Sequence, residues 1–245
     1  MTKERVAVIT GASRGIGAGL ARHFHEQGVR LGLCARSESA LPASDTVLTR
    51  QFDIRDEPSV EAFVTAVAER FGHIDVWINN AGVLAPIAPL RDIALADYQQ
   101  HIDVNVMGVF LGSRAYARHV RASDSGGVLI NISSAAATVP YAGWSAYCAG
   151  KAAVDLMSGV LQIEERDAGL RVHAVSPGII DTDMQELIRG TSADDFPDVA
   201  AFHGFKERDA FSTPGFVAEK MFQLAFSEPE DEVVVRFPAQ YPDRF

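Results

Sequence analysis

Cysteine is nearly absent from this 245-residue chain: Cys34 and Cys148 are the only two. They offer neither metal-ligand spacing nor a disulfide framework, which excludes a stapled secreted scaffold, gives no metal site, and points to a reducing, cytoplasmic compartment. Basic residues are scarce too, with 22 Lys and Arg against 32 Asp and Glu. The resulting net charge of −10 leaves no electrostatic footprint for nucleic acid or for an anionic membrane, so a small-molecule partner is expected. No apolar run approaches the ~18 residues that a membrane span requires. The lead Met1-Thr-Lys-Glu-Arg5 passes straight into a short strand pattern, so neither export nor insertion is expected. Repeats, low-complexity tracts and linkers are missing as well.

What is present suits one globular α/β domain over 1–245 with a substantial core: 47% of residues are hydrophobic and 22% charged. Short continuous apolar runs at 5–10, 30–35, 47–52, 75–79, 127–132, 170–175 and 232–237 read as strands buried on both faces. Helical spacing recurs between most of them, at 16–27, 57–71, 97–120, 146–160 and 213–226. Strand and helix in alternation predict a Rossmann-type, doubly wound parallel sheet with helices on both faces and right-handed crossovers. Residues 37–45 are too short and polar for a full crossover helix, and 97–120 reads as one long helix with Asn105 inside it. The polar stretch of about 181–212 reads as irregular, a substrate-binding excursion or lid.

Gly11, Gly15 and Gly17 separate the first strand from the first helix. Glycine lets the backbone turn tightly and approach a pyrophosphate, whose charge then rests on unpaired N–H groups at the helix N-terminus. A ligand-free structural turn is the alternative, and the strand, turn and helix context favours the phosphate cradle. At the end of the second strand an acid would hold a ribose 2′-hydroxyl, but the sequence there is Ala35-Arg36-Ser37. Arg36, together with Arg14 inside the glycine turn, suits a 2′-phosphate, because guanidinium N–H groups match phosphate oxygens. NADP(H) is therefore expected, against the alternative that both arginines are solvated surface and with Glu38 as a complication. Tyr147 and Lys151 are four apart on a helix, so an ammonium one turn away would favour phenolate and lower the tyrosine pKa. An ordinary surface pair is the other reading. Ser134 ends the preceding strand and could hold a substrate carbonyl. Asn105, a poor mid-helix residue, either braces a kink or positions a water.

In chain order, Thr10-Gly-x-x-x-Gly-x-Gly17, Asn79-Asn-Ala-Gly82, Asn105, Ser134, Tyr147-x-x-x-Lys151 and Pro177-Gly178 make the chain resemble the short-chain dehydrogenase/reductase family over nearly its whole length. The resemblance implies that Tyr147 transfers the proton, that Lys151 lowers its pKa and holds the nicotinamide ribose, that Ser134 orients the carbonyl, and that Asn105 supports a water relay. It also implies cofactor contacts from Gly11, Ser13, Arg14, Gly15, Ile16 and Gly17. Further contacts would come from Arg36, Asp53 (by the adenine, or else a loop residue), Asn80, Ala81, Gly82, Pro177, Gly178, Ile179 and Thr182. Tyr147-Cys-Ala-Gly-Lys151 and Asp181-Thr-Asp-Met-Gln185 are similar to the sepiapterin reductase branch, which includes reducers of diketones such as benzil. Trp144, Met184, Phe202 and Arg236 are the expected substrate-lining residues, with core packing the equal alternative for the first three. Arg236 falls where pterin-reducing members carry an anchoring aspartate, so a ketone or diketone reductase is expected ahead of a sepiapterin reductase. A 3-ketoacyl carrier-protein reductase would face an acidic partner with a chain of charge −10. A non-catalytic NADP sensor would have no need of Tyr147 and Lys151. The family habit of pairing long helices implies a homodimer or homotetramer.

Overall fold

Val6–Thr10 (β1) is an unbroken run of buried positions, the pattern of a strand covered on both faces. It lies inside a seven-stranded parallel sheet seen among the described residues of the computed structural model, which are 4–227 and 232–244. Residues 1–3 of the lead lie outside them. The elements that follow are α1 (Gly15–Glu26), β2 (Arg30–Ala35), β3 (Val47–Gln51), α2 (Glu57–Phe71), β4 (Val76–Asn79), α3 (Leu95–Ile102), a π turn (Asp103–Met107), α4 (Gly108–Ser123) and β5 (Gly127–Ile132). The chain continues through α5 (Ser145–Glu165), β6 (Leu170–Ser176), α6 (Asp183–Arg189), α7 (Val199–Glu207), α8 (Pro214–Phe226) and β7 (Val234–Arg236).

Strand order is β3-β2-β1-β4-β5-β6-β7. The chain winds outward from β1 to β3, returns across the sheet, and winds outward again from β4, so the switch point falls between β1 and β4. Ligands of such sheets bind in the crevice beyond the carboxyl ends of the strands at that point. One apolar core lies on the α1 and α8 face, where Leu20, Phe24, Val217 and Met221 meet Ile9, Leu31 and Ile78. The other joins α2 and α4 to the opposite face through Phe63, Val67, Trp77, Leu111 and Tyr116. Among the described residues no helix is long and apolar enough to cross a membrane.

The sheet and its helices follow the sequence pattern, and three departures have physical causes. The helix expected over 97–120 is two helices joined by the π turn at 103–107, where Asn105 bonds both backbone groups of Val83. The stretch 181–212 is not irregular: α6 and α7 form there, held by Ile188, Phe196, Val199 and Phe202 packed beneath Trp144. The last strand is three residues, 234–236, rather than six.

Candidate active site

The glycine turn is shaped for close approach. Gly11 and Gly15 have φ of 67° and 54°, a region where side chains other than glycine are strained. A Cβ on Gly17 would stand 2.3 Å from the Gly11 carbonyl oxygen. The start of α1 receives no side-chain cap and has no acid in its first turn, which leaves its N–H groups and positive dipole end for an anion. Ser13 and Ile16 are half-buried in the turn, and Thr182 lies across it, with its methyl 3.4 Å from where a Gly15 Cβ would be. Such a cradle fits a dinucleotide pyrophosphate.

Asn80 ties this turn to the loop after β4. Its Nδ2 donates to the carbonyls of Thr10 (2.9 Å) and Gly11 (3.2 Å), and its backbone N–H and that of Ala81 donate to Thr10 Oγ1. Gly82 is exposed at the same edge. Asn79 turns the other way into the buried layer. It accepts from Trp77 Nε1 (2.7 Å) and donates to Ser113 Oγ (3.0 Å) and Asn131 Oδ1 (2.8 Å). Pro177, Gly178 and Ile179 follow β6 on the same edge of the sheet.

The two arginines are placed differently. Arg36 is exposed beside Asp53, whose carboxyl is held below the usual carboxylate range, chiefly by hydrogen bonds from Arg55 and to a smaller extent by the Arg36 charge. Arg14 pairs with Asp183 at 2.6 Å, both side chains being well exposed. Such surface pairs contribute only about 0–1 kcal/mol, so Arg14 can exchange that partner for another anion at little cost.

Ser134, Tyr147 and Lys151 converge at the ends of β5 and α5. The Ser134 hydroxyl accepts from Ala136 N at 3.2 Å and hydrogen-bonds the Tyr147 phenol. Lys151 Nζ is buried, donates to the Ile132 carbonyl at 2.6 Å and lies 5.6 Å from the Tyr147 ring centre. Burial pushes the lysine down to about 8, with Asp155 opposing that shift. The tyrosine departs from the expectation of a lowered pKa: burial raises it, and the Ser134 hydrogen bond only offsets part of the rise. A low-dielectric setting disfavours phenolate.

Asn105 is fully buried and braces rather than dangles: its Oδ1 accepts from Val83 N (3.0 Å) and its Nδ2 donates to Val83 O (2.7 Å). Beside Tyr147, Trp144 stacks on Phe196 with centroids 4.7 Å apart and meets Tyr147 (5.6 Å) and Phe202 (5.5 Å) edge-on. Trp144 and Phe202 are thus packed into a wall behind the tyrosine, while Met184 stays half-exposed beside them. Arg236 is exposed, and its guanidinium donates to Thr138 Oγ1 at 2.9 Å, in the turn that follows Ser134. Sequence reasoning missed Phe196, His101 and Asp155. The last two carried a signal, since His101 stands four before Asn105 and Asp155 four after Lys151, on the faces already of interest.

Comparison with known proteins identifies the family. Residues 5–193 match the short chain dehydrogenase family. The chain is 32% identical over 225 residues to the benzil reductase ((S)-benzoin forming) of Bacillus subtilis, covering 89% of this chain and 91% of that protein. It is 34% identical over 193 residues to the levodione reductase of Leifsonia aquatica, covering 75% and 72%. A solved short chain dehydrogenase/reductase from Saccharomyces cerevisiae superposes with a TM-score of 0.87 at 26% identity, covering 98% of this chain and 99% of that one. The chain belongs to the short chain dehydrogenase family, whose members use a nicotinamide dinucleotide, and it is an oxidoreductase acting on CH–OH and C=O groups.

Proposed function

We propose that this protein is an NADPH-dependent carbonyl reductase of ketones and vicinal diketones, with Tyr147 as the proton donor. The observation that carries the reading is the cluster of half-buried Ser134 with buried Tyr147 and Lys151, backed by an aromatic wall, on the sheet edge that also bears the glycine cradle. When bound, the dihydronicotinamide supplies the hydride. The protein's own residues do the rest. Ser134 holds the carbonyl oxygen, and Tyr147 gives that oxygen its proton as the carbon is reduced, so C=O becomes CH–OH. A raised tyrosine pKa serves this direction, because the phenol stays loaded at neutral pH. Lys151 holds the ribose and, as a cation, stabilises the phenolate left behind.

For the cofactor, Gly11, Ser13, Gly15, Ile16 and Gly17 would bind the pyrophosphate, with Arg14 and Arg36 on the 2′-phosphate and Asp53 by the adenine. Asn80, Ala81, Gly82, Pro177, Gly178, Ile179 and Thr182 would line the nicotinamide end. Asn105 would support the proton path behind Lys151. On the substrate side, Trp144, Phe202 and Met184 favour apolar rings. Arg236, beside the Ser134 turn, opposes pterins, whose adjacent amino and ring N–H groups are donors like itself.

The similarity to a benzil reductase over most of both chains supports the diketone reading. Exposed Leu156, Val160 and Ile163 on α5, with Phe110 on α4, support a homodimer or homotetramer built through those helices, which light scattering would test. Two free cysteines fit the cytoplasm. Assay of purified protein with NADPH against benzil, other diketones, simple ketones and sepiapterin tests the substrate reading. Fastest kcat/KM on an aromatic diketone is expected, and faster sepiapterin turnover would overturn it.

A further inference from the structure

Tyr147, Lys151, Asp155 and Ser158 stand four, four and three residues apart on α5, so they share one stripe of the helix. Residues 131 to 134, at the end of β5 and just beyond it, meet all four. Asn131 Nδ2 donates to Ser158 Oγ at 2.9 Å, and Lys151 Nζ donates to the Ile132 carbonyl at 2.6 Å. Ser133 Oγ donates to Asp155 Oδ1, and Ser134 bonds the Tyr147 phenol. Tyr147 and Lys151 belong to the reacting cluster, while Ser158 extends the buried layer of Asn79 and Asn131. Asp155, a half-buried acid gripped by a buried hydroxyl, is the member of the stripe that the reaction has not yet used.

We propose that Asp155 is a positioning residue for the reaction: anchored by Ser133, its carboxylate stands one helical turn from Lys151 and keeps that side chain an ammonium. The proposal rests on the reading that Tyr147 and Lys151 form the reacting site, where the lysine serves as a cation. Burial strips water from Lys151, and its short contact goes to a carbonyl, which is a neutral acceptor. A carboxylate four residues on, with Cβ atoms about 5–6 Å apart, returns part of that lost stabilisation. Lys151 is pushed down to about 8 by burial, with the Asp155 charge opposing the shift. Removing that charge should let the neutral amine form at still lower pH.

Other charged groups around α5 are engaged elsewhere. Burial raises the Asp155 pKa, against the Ser133 hydrogen bond and the charges of Arg236 on β7 and Lys151. His101 on α3 is held low, first by burial and then by the lysine charge, with the Ala85 hydrogen bond opposing. Asp103 in the π turn is engaged with Gln99 at 2.8 Å, and His173 on β6 lies 2.9 Å from the Glu232 carbonyl. Arg121 on α4 pairs with Glu165 at the far end of α5. The Tyr147 phenol is raised by burial, so its own ionisation lies above the lysine's.

The test records kcat for reduction of benzil by saturating NADPH, from about pH 6 to about pH 9.5, in wild type, Asp155→Asn, Asp155→Ser and Asp155→Glu. Asparagine still accepts from Ser133 and lacks only the charge. Its alkaline limb should lie about one pH unit below that of wild type, the low end for an opposite charge that makes no contact pair. The loss in kcat should then be about fivefold near pH 8 and under about twofold near pH 6. Serine is uncharged too and should show the same displaced limb, which decides the matter if the asparagine variant does not fold. Glutamate keeps the charge, and its limb should stay within about 0.3 pH unit of wild type. A loss of kcat by one factor at every pH, with the limb unmoved, would mark a merely structural role and overturn the proposal. A glutamate variant whose limb falls with that of asparagine would overturn it as well. Absence of wild-type turnover, or a wild-type profile flat to about pH 9.5, would instead overturn the reading of Lys151 as a cation at the reacting site, and the proposal with it.

Discussion

Gly112 stands in α4 where helix propensity alone would favour alanine, and replacing it tests whether the layer beneath the active site is packed as described. A Cβ at Gly112 would lie 2.2 Å from Asn79 Oδ1 and 2.9 Å from Trp77 Nε1. Asn79 cannot step aside cheaply, because its Oδ1 takes the indole N–H and its Nδ2 serves Ser113 and Asn131, all buried. Either α4 moves off the sheet, an overpacking cost of about 1–3 kcal/mol, or Asn79 rotates and leaves a buried donor unpaired for about 1–3 kcal/mol. Alanine returns roughly 0.8–1 kcal/mol in helix propensity. Either strain, less that return, leaves a net loss of up to about 2 kcal/mol, which for a chain of this size lowers Tm by up to roughly 8 °C. Gly215 in α8 is the control, since a Cβ there meets nothing within 4 Å. Gly215→Ala should be neutral or gain about 0.4–1 kcal/mol. Thermal unfolding followed by circular dichroism reads both. A Gly112→Ala protein as stable as Gly215→Ala would refute the reasoning, because propensity would then outweigh the contact.

Three further outcomes are expected. Arg36→Asp should shift the ratio of NADPH to NADH kcat/KM toward NADH by about tenfold or more, since a charge-assisted bond contributes about 1.5–3 kcal/mol; a wild type that already prefers NADH would contradict it. Arg236→Asp should raise sepiapterin turnover relative to benzil, and an unchanged ratio would remove Arg236 from the site. Lys151 is down to about 8 in the protein alone and is charged below that value, so benzil reduction should lose kcat as pH rises through about 8. A flat profile to pH 9.5, measured at saturating NADPH, would count against a role for its charge.

Much of this architecture is legible in the sequence, for definite reasons. Strands buried on both faces read as unbroken apolar runs, and Gly11, Gly15 and Gly17 announce a turn that only glycine tolerates. Tyr147 and Lys151 share a helix face by spacing alone. The rest depended on contacts that spacing does not encode. A π turn adds one residue to an otherwise helical pattern, and the hydrophobic period across 97–120 is too coarse to show it. Helices α6 and α7 are short and polar outside, and they exist because Phe196 and Phe202 find Trp144, a partner some 50 residues earlier in the chain. The direction of the Tyr147 pKa does not follow from sequence, because a lysine one turn away is visible there whereas the burial that raises the pKa is not.

The central claim is that Tyr147 donates the proton, and single-turnover reduction of benzil by NADPH with Tyr147→Phe measures it most directly. Phenylalanine keeps the ring that packs on Trp144 and His101 and deletes only the hydroxyl. The account predicts that NADPH binds with affinity within about threefold of wild type while the hydride-transfer rate falls by about 10²–10⁴. A Tyr147→Phe enzyme that binds NADPH and oxidises it at the wild-type rate would contradict the account.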